Sequence, residues 1–313
     1  MKARALLAVV TCLGLLLAAV LVGQRLSGPE GAFIVWQLRV PRVLVGALVG
    51  ATLALVGAVF QALFQNALAT SDTVGTTAGA TVGALAALAF DGSRSVQGLP
   101  LVTTCAFVGA LAASLLVASF ASSRRAHSSD VLLAGIAVTL ATSAFASGIQ
   151  YVSDSRALFA ATQWALGQLP QVGYRGVLLL LPVCAVSSIS LLLLTRHLQA
   201  FALGEELAHS RGVNVPRLRF LALGLGSLGV AACVAWCGPI AFVGLIVPHL
   251  VRLLLGPSYR VVLPMSLLVG AAFLVGCDLF ARLVVPGREL PVGIVTAALG
   301  APALVLLVAR SRR

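Results

Sequence analysis

Long apolar runs separated by short polar punctuation occupy almost the whole chain. The first covers 5–23, behind Lys2 and Arg4. Hydropathy falls through Ser27, Gly28, Pro29, Glu30 and Gly31, then returns over about 43–63. Further runs cover 73–90, 100–121, 131–152, 174–195, 219–237, 241–255, 261–283 and 292–309, which makes ten. A helix crossing the hydrocarbon core of a bilayer takes about 20 apolar residues, so the pattern predicts ten membrane-spanning helices. The first run has a span's length and no small-x-small motif before Gln24 and Arg25, so it reads as a span rather than a signal peptide. The expected fold class is all-α and polytopic, with 1–313 as a single transmembrane domain.

Composition agrees. Of the 313 residues 60% are hydrophobic and 10% charged, against roughly 25% charged in soluble proteins, and the mean hydropathy is +1.06. The net charge of +12 comes from 21 basic and 9 acidic residues. The basic residues lie singly or in pairs between apolar runs, as positive-inside bias produces, and not as the clustered patch that nucleic acid requires. With ten spans both termini share a side. The larger share of the basic residues, including the pairs Arg124-Arg125 and Arg312-Arg313, falls inside if the N-terminus is inside; Arg25, Arg39, Arg42, Arg94 and Arg282 are among those left outside. The six cysteines all sit in apolar runs with no metal-ligand spacing and read as small core residues. Gly46 and Gly50, and then Gly75, Gly79 and Gly83, recur four apart, a spacing that lets helix backbones approach closely in lipid.

Several chemistries lack their residues. A P-loop needs GxxxxGK[ST], and the one lysine is Lys2, so ATP hydrolysis must come from a partner. His127, His197, His209 and His249 have no second ligand at helical spacing, and no Ser/His/Asp set stands out, so no metal or catalytic site is expected. Asp278 is the one carboxylate at membrane depth. An ion pair with Arg282, four residues on, is one reading; proton coupling in an ion-driven secondary transporter is the alternative.

One inner loop has helical grammar. In 202–216, Glu205 and Glu206 stand where a first helical turn favours acids, Arg211 where a last turn favours a base, Gly212 as a stop, and Pro216 against continuation. A short helix over about 203–212, with Leu203 and Leu207 on one side, is expected.

The run Gly204-Glu-Glu-x-Ala208-x-x-x-Gly212-Val resembles the cytoplasmic coupling helix of FecCD-type ABC importer permeases, which take up iron-siderophores, haem and cobalamin. The resemblance extends to Leu38-Arg-Val-Pro-Arg42, Gly57-Ala-Val-Phe-Gln-Ala-Leu-Phe-Gln-Asn66, Leu132-Leu-Ala-Gly135, the stretch from Gly238 to His249, Asp278-Leu-Phe-Ala-Arg282 and the stretch from Glu289 to Pro302. It departs from the family at Asn66-Ala-Leu-Ala69, where a proline usually follows the asparagine, and at Arg211, where leucine is usual. The resemblance implies a type II importer permease in the bacterial cytoplasmic membrane with both termini cytoplasmic. It implies a second permease chain, identical or related, beside lipid. An ABC ATPase subunit holding ATP and Mg would seat on Gly204, Glu205, Glu206, Ala208, Arg211 and Gly212. An extracytoplasmic substrate-binding protein would dock its acidic residues on Arg39, Arg42 and Arg282, unless these merely snorkel to headgroups or, for Arg282, pair with Asp278. An inner gate is implied at Asn66, Leu68, Ser128 and Ser129, although the two serines also suit the N-cap of the fifth span, with Asp130 in its first turn.

Overall fold

The computed structural model describes residues 2–22, 29–91, 95–96, 99–121, 127–169, 173–285 and 288–311. Arg25, Arg94, the pair Arg124-Arg125 and the pair Arg312-Arg313, used above to orient the chain, lie outside the described residues.

Every apolar run forms a helix. In chain order these are α1 (Lys2–Leu21), α2 (Pro29–Phe33), a π-helical turn (Ile34–Arg39), α3 (Val40–Leu63), a 3-10 turn (Ser71–Val74) and α4 (Thr76–Asp91). A two-stranded antiparallel hairpin, β1 (Ser95–Val96) with β2 (Leu99–Pro100), pairs Ser95 with Pro100 and Val96 with Leu99. Then come α5 (Leu101–Ala121), α6 (Ser128–Val152), α7 (Ser155–Ala165), α8 (Arg175–Leu193), α9 (Thr195–Phe201), α10 (Glu205–Ser210), α11 (Val215–Cys237), α12 (Val243–Leu255), α13 (Tyr259–Leu283) and α14 (Val292–Ser311). Among the described residues six helical segments are long and apolar enough to cross a membrane: Gly31–Leu63, Leu101–Ala121, Ser128–Val152, Arg175–Leu193, Val215–Cys237 and Tyr259–Leu283. The four remaining runs correspond to the shorter apolar helices Ala5–Leu21, Thr76–Phe90, Val243–Leu255 and Val292–Val305.

Helix α3 is the centre. It is apolar all round, as a helix buried on every side must be, and residues 52–64 have no exposed member. It packs against α8, α11, α12 and α13. Backbones touch where glycine permits: a Cβ on Gly50 would run into the carbonyl oxygen of Gly270 on α13, and one on Gly79 into that of Gly109 on α5. The spacing of small residues therefore reports close packing at Gly79 and Gly83, which both face α5. Gly75 differs from that expectation. It adopts φ +79° and closes the 3-10 turn instead of lining the helix face.

Helix α11 joins the two halves of the bundle, packing on α3 and α8 on one side and α4 and α5 on the other. At the edge lies α6. In its apolar window 11% of residues are buried, against 78% for the segment containing α3.

Candidate functional site

Two polar clusters form at opposite ends of the helices. The first surrounds α10, the helix expected at 203–212, which forms over Glu205–Ser210. Gly204 at φ +121° precedes it, and Arg211 and Gly212, the latter at φ +78°, end it. Both glycines have left-handed backbone that a side chain would strain, and neither has an atom near where a Cβ would sit. Pro216 does not terminate this helix, as the sequence suggested. It stands in the first turn of α11, whose N-cap Asn214 accepts from Arg217 N at 3.1 Å.

Helix α10 is held from below by Ala208, which is fully buried, with its carbonyl accepting from Val213 N at 3.0 Å. Leu203, Glu206, Leu207, His209 and Arg211 are exposed. Glu205 points inward. Its Oε1 accepts from Ser128 Oγ at 2.9 Å and from Arg219 Nη2, and Arg219 also donates to Ser128 Oγ at 3.1 Å. Arg219 is 2% exposed and its guanidinium lies over the Phe201 ring, 5.6 Å from the centroid. A cavity of about 1010 Å3 opens beside this cluster, lined by His127, Glu205, Glu206, His209 and Arg219 with residues 210 and 212–216.

The remaining gate candidates sit at the same end. Asn66 closes the turn after α3: its Oδ1 accepts from Leu68 N at 2.9 Å and its carbonyl from Ala69 N at 3.1 Å. The turn thus forms with Ala67 after the asparagine, and Leu68 projects from it, half exposed. Of the two readings for Ser128 and Ser129, the cap belongs to neither. His127 is the N-cap of α6, and its N–H donates to Asp130 Oδ2 at 2.9 Å. Ser128 is left to bridge Glu205, Arg219 and the Leu63 carbonyl, 3.2 Å away, while Ser129 is exposed.

The second cluster gathers four charges at the far ends of α3 and α13. Arg42 is 6% exposed. It grips Asp278 through Nε, at 3.0 and 3.1 Å from the two carboxylate oxygens, and through Nη2 at 2.7 Å, while Nη1 reaches Glu289 Oε2 at 2.7 Å. Arg282 Nε completes the set 3.1 Å from Asp278 Oδ2, and its Nη2 donates to the Ala19 carbonyl on α1 at 3.4 Å. Multiple charge-assisted hydrogen bonds are what allow such groups to be buried. The i, i+4 pair of Asp278 and Arg282 expected from sequence is present. Arg42, expected to face outward for docking, is turned inward by the same carboxylate. Arg39, in the π-helical turn, is partly buried, as is Arg282, whereas Arg42 is buried.

Sequence reasoning placed Arg219 only among the basic residues and Gln61 only within the run from Gly57 to Asn66, and attached no role to either. Gln61 is buried in α3, donates to the carbonyls of Gly244 at 3.2 Å and Leu245 at 3.4 Å, and accepts from Arg252 Nη2, joining α3 to α12. An apolar helix carrying one buried amide is the signal that could have found it. Among the described residues no three His, Cys, Asp or Glu side chains gather as a metal site needs.

Comparison with known proteins follows the same lines. The FecCD transport family matches residues 6–310. The chain is 43% identical over 203 residues to the cobalamin import system permease protein BtuC of Halobacterium salinarum, covering 64% of this chain and 54% of that protein. It is 38% identical over 213 residues to the hemin transport system permease protein HmuU of Yersinia pestis, covering 66% and 62%. The chain therefore spans little more than half the length of these two relatives, whereas 37% identity to the vitamin B12 import system permease protein BtuC of Vibrio cholerae extends over 93% of this chain and 89% of that one. A solved structure described as an inward-facing conformation of a metal-chelate type ABC transporter matches with a TM-score of 0.87 at 32% identity, over 96% of this chain and 98% of the other. With a family match spanning nearly the entire sequence and the helical order of a solved transporter, the chain belongs to the FecCD transport family.

Proposed function

We propose that this chain is the permease subunit of an ATP-driven importer for an iron complex, haem or cobalamin. It works as a pair of permease chains in the bacterial cytoplasmic membrane, with α10 and both termini on the cytoplasmic side. The carrying observation is α10 itself: a six-residue helix, anchored by Ala208 and bracketed by two left-handed glycines, that presents Leu203, Glu206, Leu207, His209 and Arg211 to the outside. Exposed leucines ringed by charges suit the groove of a separate ATPase subunit, which supplies ATP and Mg. The nearly bare α6 suits the pathway and the second permease chain, since small and hydroxyl residues such as Ala137, Ala141, Ser143 and Ser147 are exposed along it. At the other end Arg39 is the arginine best placed to meet a carboxylate of a substrate-binding protein, and Arg42 and Arg282 act behind it as an internal brace. Asn66, Leu68, Ser128 and Ser129 stand at the cytoplasmic mouth as the gate. This chain hydrolyses nothing, and the relatives named for cobalamin, hemin and vitamin B12 supply the candidate cargoes.

An ion-coupled carrier would need a carboxylate free to titrate during transport. Asp278 accepts from two guanidiniums at once, which favours a brace over a proton carrier.

Proteoliposomes test the proposal. The chain is reconstituted alone, with its ATPase, and with ATPase and binding protein, and each set is given labelled haem, cobalamin and a ferric siderophore. Uptake of one of the three, only with all components and ATP, is expected. Uptake by the chain alone under a proton gradient would overturn it.

A further inference from the structure

Glu205 ties α10 to three other helices. Its carboxylate accepts from Ser128 in the first turn of α6 at 2.9 Å and from Arg219 on α11, and Ser128 Oγ lies 3.2 Å from the carbonyl of Leu63, the last residue of α3. Arg219 donates to Ser128 Oγ at 3.1 Å. A serine hydroxyl carries one proton and two lone pairs. With Arg219 occupying a lone pair, Ser128 has two acceptors, the Glu205 carboxylate and the Leu63 carbonyl, for a single proton. The hydroxyl is a rotor with two settings.

The two sides of this joint differ in freedom. Arg219 is enclosed by α11 packing and by the Phe201 ring, so it is the fixed post. Glu205 rides on a helix whose two flanking glycines have open space around them. Displacement of α10 therefore draws Glu205 away from Ser128 and leaves the Leu63 carbonyl as its remaining acceptor. Leu63 immediately precedes the turn held by Asn66, from which Leu68 projects.

Resting on the importer reading above, we infer that the Arg219–Glu205–Ser128 bridge is the positioning element that converts movement of α10 into a change at the joint of α6 and α3, by handing the Ser128 proton from the Glu205 carboxylate to the Leu63 carbonyl. No bond other than hydrogen bonds is made or broken. Arg219, Glu205 and Ser128 are positioning residues, and Asn66 and Leu68 take up the result.

The test uses the complete complex of permease, ATPase and binding protein in lipid nanodiscs, with Leu68→Cys as reporter and a membrane-impermeant maleimide as probe. Labelling of the chain without the reporter supplies the background from native cysteines. The readout is the change in labelling rate on adding ATP, Mg and vanadate, set against the ATPase present in each complex. With the bridge intact, nucleotide changes the rate. Ser128→Ala should abolish that change, and Ser128→Thr, which keeps a hydroxyl, should recover it. A nucleotide-dependent change that survives in Ser128→Ala, or one that Ser128→Thr fails to recover, overturns the inference while leaving the importer reading standing. If the otherwise unaltered chain neither retains the ATPase nor responds to nucleotide, the importer reading falls, and this inference with it.

Discussion

The charge clusters at the two ends of the bundle use the same chemistry and differ in what carries it. Around Arg42, every participant but Glu289 rises from a long packed helix, and Asp278, 2% exposed, is shared between two guanidiniums. Around Arg219, the acid sits on a six-residue helix between glycines, one third exposed, and shares its partner with a hydroxyl. An ion pair whose both ends are fixed is an anchor. An ion pair with one end on a hinged segment is a latch.

That distinction can be broken by substitution. The largest effect belongs to Asp278→Ala, which strands Arg42 and Arg282 without their shared carboxylate; removing one partner of a buried pair costs about 3–5 kcal/mol. It should appear as a marked fall in the unfolding temperature of the detergent-purified chain, and the double change Arg42→Met with Asp278→Leu should recover part of it, since an apolar pair of similar size replaces buried charge at little loss. Next comes Glu205→Gln. Its carboxylate is partly solvated, so the same melting experiment should show a loss of about 1–2 kcal/mol, near the low end for hydrogen bonds to charged groups. Equal losses at Asp278 and Glu205 would erase the contrast between anchor and latch. The smallest change in stability is expected at Arg39→Glu, which lies outside the Asp278 cluster in a short π-helical turn, yet this variant should lose capture of the binding protein in a pull-down while Arg39→Lys retains part of it. Undiminished capture by Arg39→Glu removes that residue from docking.

The helices were legible because a bilayer demands continuous apolar runs: each of the ten runs became a helix within a few residues of its expected limits, and among the described residues six helical segments are long and apolar enough to cross a membrane. What lay between them was less so. Helix α7, in which Ala157 and Ala161 turn inward while Phe159 stays exposed, is too short and too mixed in character to stand out as a run. The continuous helical path from Gly31 to Leu63 was hidden by Pro29, Glu30 and Gly31, which read as a turn although proline is well tolerated in a first helical turn. The two clusters were half visible. Asp278 and Arg282 are neighbours by helical spacing, whereas Arg42 lies 236 residues from its carboxylate and only folding brings them together. At the other end α10 announced itself through its acids and glycines. Arg219 did not, because an arginine near the start of a span looks like any cytoplasmic positive charge. Ser128 needed the structure to show that His127 takes the cap.

The glycine contacts fix how near the central helices stand to one another. Where Gly50 meets Gly270 and Gly57 meets Gly244, main chain lies against main chain, so α3, α12 and α13 have no side-chain cushion between them at these crossings, and even a methyl group there would force the helices apart. Gly79 against Gly109 brings α4 and α5 together in the same way. Helix α11 packs against members of both groups, with Arg219 near its N-terminal end.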